Sequence, residues 1–395
     1  MRILNQIIAV CSINLKSLPQ RFWLSFSTVV AVAMVVTVLL GFLALAAGFK
    51  RTLDGTGSDT IAILLRDGSQ QEVNSVVMLD QIRLIGEAPG IVRKQDGNPL
   101  ISGELYVIVD GVKRSTGLKA NLPLRGIGKD GAVLRDDLTI TQGRMFEPGS
   151  NEIVVGEGLV REFAGFDLGS EVRLGTGTWK VVGVFSMQGS VFESELWGDA
   201  AVVQSLFRRG SSFQTVRVRL ESPEAIDQLR DYVAGEPRLK LEVFSEKGYF
   251  AGQSSNTVKL IQNAGWPLAI AMALGALAGA LNTMYSSVAS RAREIATLRC
   301  LGFGGFPSFV ATLLESLVLA GIGGVIGSMG IFLFFDGFST STLGQGFTQI
   351  VFSVSLTPAL VKQGIILALL VGLIGGFFPA LRAARVPIVT AYSQG

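Results

Sequence analysis

Four stretches of the chain carry almost no charge. Trp23 to Phe49, Leu260 to Ser290 and Gln363 to Leu381 contain none, and Cys300 to Phe335 contains only Glu315. Each supplies the roughly 20 mostly apolar residues that a helix needs to cross a bilayer's hydrocarbon core. The pattern predicts four membrane spans, at 22–49, 260–289, 307–335 and 363–381. Ahead of the first, Leu4, Ile7, Ile8, Cys11, Leu15 and Leu18 recur at helical spacing until Pro19. Residues 1–21 therefore read as an amphipathic helix on the inner membrane surface, or else as a frayed terminus. Span 1 is too long for a signal-peptide core, and Phe49-Lys50-Arg51 follows it in place of a small-residue cleavage site, so it reads as an anchor.

Between spans 1 and 2 the pattern changes. Asp59 to Leu65, Asn151 to Gly156, Trp179 to Phe185 and Val216 to Leu220 read as strands, and Gly103 to Val109 with the Asp110-Gly111 turn reads as a hairpin. Helical spacing runs over Val76 to Glu87 until Ala88-Pro89-Gly90, and over Glu157 to Phe163, with Leu168-Gly169 opening a turn. Ser222-Pro223-Glu224 starts a helix that lasts to about Val233, its proline placed where a first helical turn tolerates one. The fold class is membrane α-helical, with four transmembrane helices and a large α+β extracytoplasmic domain, 50–259, between helices 1 and 2.

Charge orients this layout. Arg2, Lys16 and Arg21 precede span 1, Arg291, Arg293 and Arg299 lie between spans 2 and 3, and Arg382 and Arg385 follow span 4, whereas the span 3–4 connection (336–362) has only Lys362 against Asp336. By the positive-inside rule both termini, the tail 382–395 and the loop 290–303 face the cytoplasm. The segment 50–259 carries a net charge of −3 and the remainder +6. Both cysteines, Cys11 and Cys300, fall on the cytoplasmic side, so the outer domain holds itself by its core, which about 200 residues can supply. There is no histidine, which excludes imidazole metal sites, Ser-His-Asp or Cys-His catalysis and histidine pH switching.

The polar residues outside form no catalytic set. Glu193 and Glu195 read as part of a solvated loop with aromatic anchors, Gly189 to Trp197, rather than as an acid/base pair, and Arg208-Arg209 reads as surface. No catalytic or metal residue is expected. In the spans, Gly275 and Gly279, then Gly321, Gly323, Gly324, Gly327 and Gly330, allow close helix approach; the same glycines also suit plain lipid-facing helices. Glu315, the one carboxylate at membrane depth, lies near the inner surface, where Arg299 is an available partner.

The segment Asn282 to Gly302 is where a soluble partner would push on the membrane. Ile295, Leu298 and Leu301 fall near one helical stripe, with Arg291, Arg293, Glu294 and Arg299 on the rest. The same spacing suits a connector whose arginines only fix topology.

Nearly the whole chain resembles the membrane subunits of the MacB/FtsX/LolCDE-type ABC transporters, the mechanotransmission class. Asn282, Met284, Val288, Arg291, Arg293, Glu294, Ile295, Ala296, Leu298, Arg299, Leu301 and Gly302 match the family's motif after span 2, with Cys300 in place of the usual alanine. Leu313 to Ser316 matches its Leu-Leu-Glu-Ser, and Pro379-Ala-Leu-Arg382-Ala-Ala-Arg-Val-Pro387 its ending; Gly143 to Phe146, Asn151 to Gly156 and Trp179 to Phe185 look like its periplasmic core domain. The resemblance implies an inner-membrane permease in a homodimer, or paired with a sister subunit, resting on two cytoplasmic ATPases. Arg291, Arg293, Glu294, Ile295, Leu298, Arg299 and Gly302 would couple it to them, and Gly275, Gly279, Gly323 and Gly327 would pack its helices.

The sequence has no Gly-x4-Gly-Lys-Ser/Thr loop, and Gly126-Ile-Gly-Lys-Asp130 lacks the spacing and the magnesium-holding hydroxyl. ATP and magnesium are thus expected on a partner ATPase and no cofactor on this chain. The implied function is to turn that ATPase's work into periplasmic motion that exports or extracts a periplasmic or membrane-held substrate such as a lipid, lipoprotein, peptide or drug. The alternative is an FtsX-like regulator of a cell-wall hydrolase that transports nothing. A periplasmic adaptor or carrier protein and membrane lipid are further expected partners; nucleic acid is not.

Overall fold

The structure, a computed structural model, describes residues 3–335, 339–341, 350–354 and 356–386. Asp336, residues 342–349 and the tail beyond Val386, Pro387 included, lie outside the described residues. Two compact units emerge, one from the described residues of 1–47, 258–338 and 354–395, the other from 48–257 with those of 339–353.

In chain order the elements begin with α1 (Ile3–Ser17) and α2 (Phe22–Asp54), followed by β1 (Ile61–Arg66), β2 (Val77–Met78) and α3 (Leu79–Ile85). Next come β3 (Ile101–Lys113), β4 (Lys119–Ile127), β5 (Thr139–Gly143), β6 (Glu152–Gly156), α4 (Glu157–Glu162), β7 (Phe163–Ala164), β8 (Glu171–Leu174) and β9 (Gly177–Ser186). The outer domain continues with β10 (Leu196–Asp199), α5 (Ala200–Leu206), β11 (Ser212–Phe213), β12 (Thr215–Arg219), α6 (Ala225–Gly235) and β13 (Leu241–Ser245). The chain then runs through α7 (Glu246–Ser290), α8 (Ala292–Cys300), α9 (Gly305–Phe335), β14 (Ser339–Ser341), β15 (Val351–Ser353) and α10 (Pro358–Ala384).

The four helices long and apolar enough to span a membrane coincide with the four charge-poor blocks, α1 and α2 running on as one of them. Two are longer than their apolar patterns. Helix α7 starts at Glu246, fourteen residues before the charge-free block, because polar residues suit a helix outside the hydrocarbon as well as any other. Helix α10 starts at Pro358, a first-turn proline preceded by Thr357, whose hydroxyl accepts the Leu360 N–H.

Within the membrane unit, small residues set the contacts. A Cβ at Gly323 would lie 2.8 Å from the Val29 carbonyl oxygen and one at Gly327 2.6 Å from that of Ala33, so α9 lies directly on the backbone of α2. Likewise Gly372 faces Ala320 and Gly376 faces Ser316 at 2.5 Å between α10 and α9. Gly275 and Gly279 differ. Both are exposed, with nothing within 4 Å of an added Cβ, so among the described residues they bring no second helix close.

In the other unit an eleven-stranded sheet has the order β13-β1-β12-β3-β4-β10-β6-β9-β5, with β7 joined to β3 and β8 to β9. β10 runs parallel to β4 and β6 parallel to β9; the other pairings are antiparallel. Two apolar cores fill it. One gathers Leu105, Leu122, Phe163, Trp179 and Leu196 with α4 and α5; the other gathers Leu64, Val216, Val218 and Leu229 under α6.

Two local readings are corrected. The chain does not turn at Asp110-Gly111: β3 runs through both, opposite Asn121 and Ala120, and turns only after Lys113. Glycine is needed at 111 because Leu122 and Phe163 occupy the space of a side chain, Leu122 Cδ1 lying 2.3 Å from an added Cβ. The expected helix over Val76 to Glu87 is a short strand followed by two turns, ending at Gly86.

The third correction is larger. Gly189 to Trp197 is not solvated: Phe192, Glu193, Ser194, Glu195 and Trp197 are all buried. One Glu193 oxygen accepts from the Met187 and Gly189 N–H groups at 2.7 and 2.8 Å and from the Ser186 hydroxyl at 2.8 Å, closing the turn. Glu195 takes both forks of Arg125 at 2.7 Å and the Trp197 indole N–H at 2.7 Å.

Arg125 also reaches Glu72 (2.6 Å) and Glu104 (3.1 Å), Arg135 grips Glu104 with both terminal nitrogens (2.8 and 2.9 Å), and Arg217 bonds Glu104, Glu72 (2.8 Å) and Glu246 (2.9 Å). The ring of Phe192 lies among the three guanidiniums, 4.9 to 5.6 Å from each. Burial alone would raise the Glu104 carboxyl, but the charges of Arg135, Arg217 and Arg125 outweigh it and hold it at about 2.

Candidate functional site: the coupling helix and its seat

Helix α7 ends at Ser290, and the chain bends at Arg291, whose φ of −104° and ψ of 7° leave the α region before α8 begins. The far end of α8 is closed by a Schellman motif. The Phe303 N–H reaches back to the Leu298 carbonyl and the Gly302 N–H to that of Arg299, both at 3.1 Å, while Gly302 takes a φ of +91°. An L-residue with a Cβ is strained in that conformation, which gives the glycine of the motif a physical reason.

Four elements hold this short helix. Arg291 is 5% exposed and is its central bolt: one terminal nitrogen lies 3.3 Å from Glu315 on α9, the other bonds the Asn14 side-chain oxygen on α1, and Nε bonds Glu294 at 3.1 Å. Arg299 donates to the Val386 carbonyl beyond α10 at 2.6 Å. Ile295 is buried against Val288 and Ala383. Behind the helix, Arg21 donates to the Ser287 hydroxyl at 2.8 Å and carbonyl at 3.2 Å, and the Arg382 guanidinium lies 5.6 Å from the centre of the Tyr285 ring.

The membrane carboxylate Glu315 is therefore paired with Arg291, not with Arg299. Arg291 comes off the end of α7, level with the third turn of α9, whereas Arg299 lies two turns further along α8 and finds a carbonyl instead.

The seven residues singled out in the loop divide into three groups. Arg291 and Ile295 face inward and form the seat, and Leu298 and Arg299 are half-buried at its rim. Arg293, Glu294 and Gly302 are exposed. Leu301, which follows the helix, is 71% exposed, and Phe306 at the start of α9 is 61% exposed. Phe306 carries no signal in sequence reasoning, since a phenylalanine opening a membrane span reads as part of the span. Cys300 is exposed on the same helix.

Gly126-Ile-Gly-Lys-Asp130 is no phosphate loop. Gly126 ends β4 packed on Ala200 and Val203, and Asp130 is engaged by Lys94 at 3.0 Å, so these residues do not fit a nucleotide.

Comparison with known proteins agrees with this layout. A family model for the MacB-like periplasmic core domain matches residues 25–235, more than half of the chain, and one for the FtsX-like permease C-terminal region matches residues 267–388. The chain is 25% identical over 294 residues to the macrolide export ATP-binding/permease protein MacB 1 of Aeromonas hydrophila, covering 69% of this chain and 43% of that protein. It is 23% identical over 402 residues to MacB 2 of Yersinia pestis, covering 90% of this chain and 57% of that protein. It thus spans about half the length of these relatives. A third, the ABC transporter permease YvrN of Bacillus subtilis, is 22% identical over 389 residues, with 92% of this chain and 93% of that protein covered. With four membrane helices and a large α/β domain between the first two, the chain belongs to the MacB/FtsX-type ABC transporter permeases, multi-pass inner-membrane proteins with a periplasmic core domain.

Proposed function

We propose that this permease transmits the work of an ATPase lying outside this sequence to its periplasmic domain, and that α8 is where the ATPase pushes. The observation that carries the reading is the division of α8 into two sides. Its inner side is bolted to α1, α9 and the end of α10, while Arg293, Glu294, Leu301 and Phe306 stand free of those contacts. A helix so held moves the spans it joins when it is displaced. The exposed charges and apolar side chains suit a protein groove better than solvent alone.

On this reading the chain is a non-catalytic subunit of a dimer of permeases, with two ATPases that bind ATP and magnesium. The substrate is periplasmic or membrane-held, expelled by motion of the outer domains rather than carried through the spans. That motion requires two states with different contacts, selected by ATP binding to the partner.

The test reverses charge at Arg293 and Glu294 (R293E with E294R) and places aspartate at Leu301. Co-purification with the ATPase and function should fall at least tenfold. External labelling of a cysteine placed at the exposed Ser211 should persist, showing correct insertion. Full function with an intact complex would reduce α8 to a topogenic connector.

A further inference from the structure

We propose that the cavity enclosed by α1, the end of α7, α8 and the start of α9 is a binding site for an uncharged single-chain amphiphile with a hydroxylated head. The cavity measures about 300 Å³, at the lower end of the range for small-molecule sites. Its two sides differ in chemistry. Ser308, Thr312 and Glu315 recur at helical spacing on one face of α9 and line it with polar groups, whereas Val10 and Ile13 of α1 and Leu298 of α8 line it with hydrocarbon.

The two hydroxyls are the telling feature. Ser308 is 3% exposed and Thr312 4%, and no side-chain hydrogen bond ties either hydroxyl to another described residue; neither oxygen is fully enclosed, so both open onto the cavity. A serine or threonine within a helix ordinarily returns its hydroxyl to the carbonyl four residues back, as Thr283 does to Gly279 and Ser328 to Gly324, each at 2.8 Å. Buried polar groups find partners as a rule. Two that line an open cavity point to a partner within it.

Charge selects among ligands. The Arg291 guanidinium is already turned to Glu294, Glu315 and the Asn14 amide oxygen, and the next cation, Arg21, lies behind Ser287 outside the lining, so an anionic headgroup would meet the carboxylates first. Water alone would satisfy the hydroxyls and leave the Val10, Ile13 and Leu298 wall unmatched. A hydroxylated head against α9 and a short chain against α1 and α8 satisfy both. At about twice the ~150 Å³ that holds one benzene, the space suits about a dozen non-hydrogen atoms, a chain of about eight carbons with a small head.

The test uses the full chain reconstituted in vesicles and octane-1,2-diol carrying a diazirine in its chain. After illumination, label should concentrate on residues 10–14 and 295–298, and unlabelled octane-1,2-diol should displace it while octanoate, the anion of the same chain length, should not. Ser308→Ala combined with Thr312→Val should lower labelling at least fivefold with the unfolding midpoint unchanged. Leu298→Trp, which fills the cavity from its apolar side, should do so independently. Label spread evenly over lipid-facing helices, equal competition by octanoate, or undiminished labelling in both variants would overturn the proposal, the last assigning the cavity to water only.

Discussion

The periplasmic domain and the membrane unit close their interiors by opposite means. The domain buries three arginines and four glutamates in one connected network, Arg125, Arg135 and Arg217 with Glu72, Glu104, Glu195 and Glu246, between apolar cores on either side. In the membrane unit Arg291 and Glu315 make the sole buried ion pair among the described residues, and the helices meet through glycines that bring backbone against backbone. The contrast follows from the surroundings. In water an apolar core supplies the driving force, and a polar network adds geometric specificity at a cost in desolvation. In lipid no hydrophobic gain separates one helix pairing from another, so close approach and dispersion decide. The domain should therefore be sensitive to lost charge and the membrane unit to added volume.

The largest effect is expected from Arg217→Met. It leaves Glu72, Glu104 and Glu246 short of a partner in a buried site, and removing one member of such a pair costs about 3–5 kcal/mol. Chemical denaturation followed through the buried Trp179 and Trp197 would measure it; a loss below about 1 kcal/mol would mean that the network relaxes or takes in water. Acid should have the next largest effect. The Glu104 carboxyl is depressed from an ordinary 4.5 to about 2, so the unfolded chain takes up a proton first. Stability is full above pH 4.5 and drains away as the pH falls toward 2, by about 2–3 kcal/mol for this group alone. A flat stability profile between pH 5 and 2.5 would contradict the pairing.

Smaller losses, about 1–3 kcal/mol, are expected for Gly323→Leu and Gly327→Leu, whose new side chains meet the α2 backbone, which cannot rotate away. Gly275→Leu and Gly279→Leu should leave the thermal midpoint of a single chain within a degree or two, because their side chains enter open space. If all four glycines behave alike in detergent, the packing of α9 on α2 is not what holds the unit.

The same contrast explains what the sequence disclosed. Membrane spans announce themselves because one physical requirement, about 20 apolar residues, acts on contiguous residues. Gly302 entered only through the family motif; its Schellman closure, which involves only its neighbours, supplies the physical reason. The network could not: Glu195 and Arg125 are 70 residues apart and Arg217 and Glu72 145, so Glu193 and Glu195 in a Gly-Ser-rich stretch read as solvent-facing. Asp110-Gly111 misleads for a related reason. Its dipeptide is a local turn signal, but the demand for glycine comes from Leu122 across the ladder and Phe163 beyond it. At α8 the residue types were legible while their division into inward and outward sides was not. That division depends on where Asn14, Glu315 and Val386 arrive from remote parts of the chain.

Strand β3 gives the periplasmic domain a further property. Ile101 to Glu104 pair with β12, over the core beneath α6, while Leu105 to Lys113 pair with β4 and β7 over the other core. A single thirteen-residue strand thus belongs to both halves, and no loop lies at their boundary. Exchanging one half with that of a related permease would have to split a continuous ladder, so viable chimaeras should carry both halves from the same parent. Natural insertions have room at the exposed turn of residues 115–118, where the ladder with β4 has already ended.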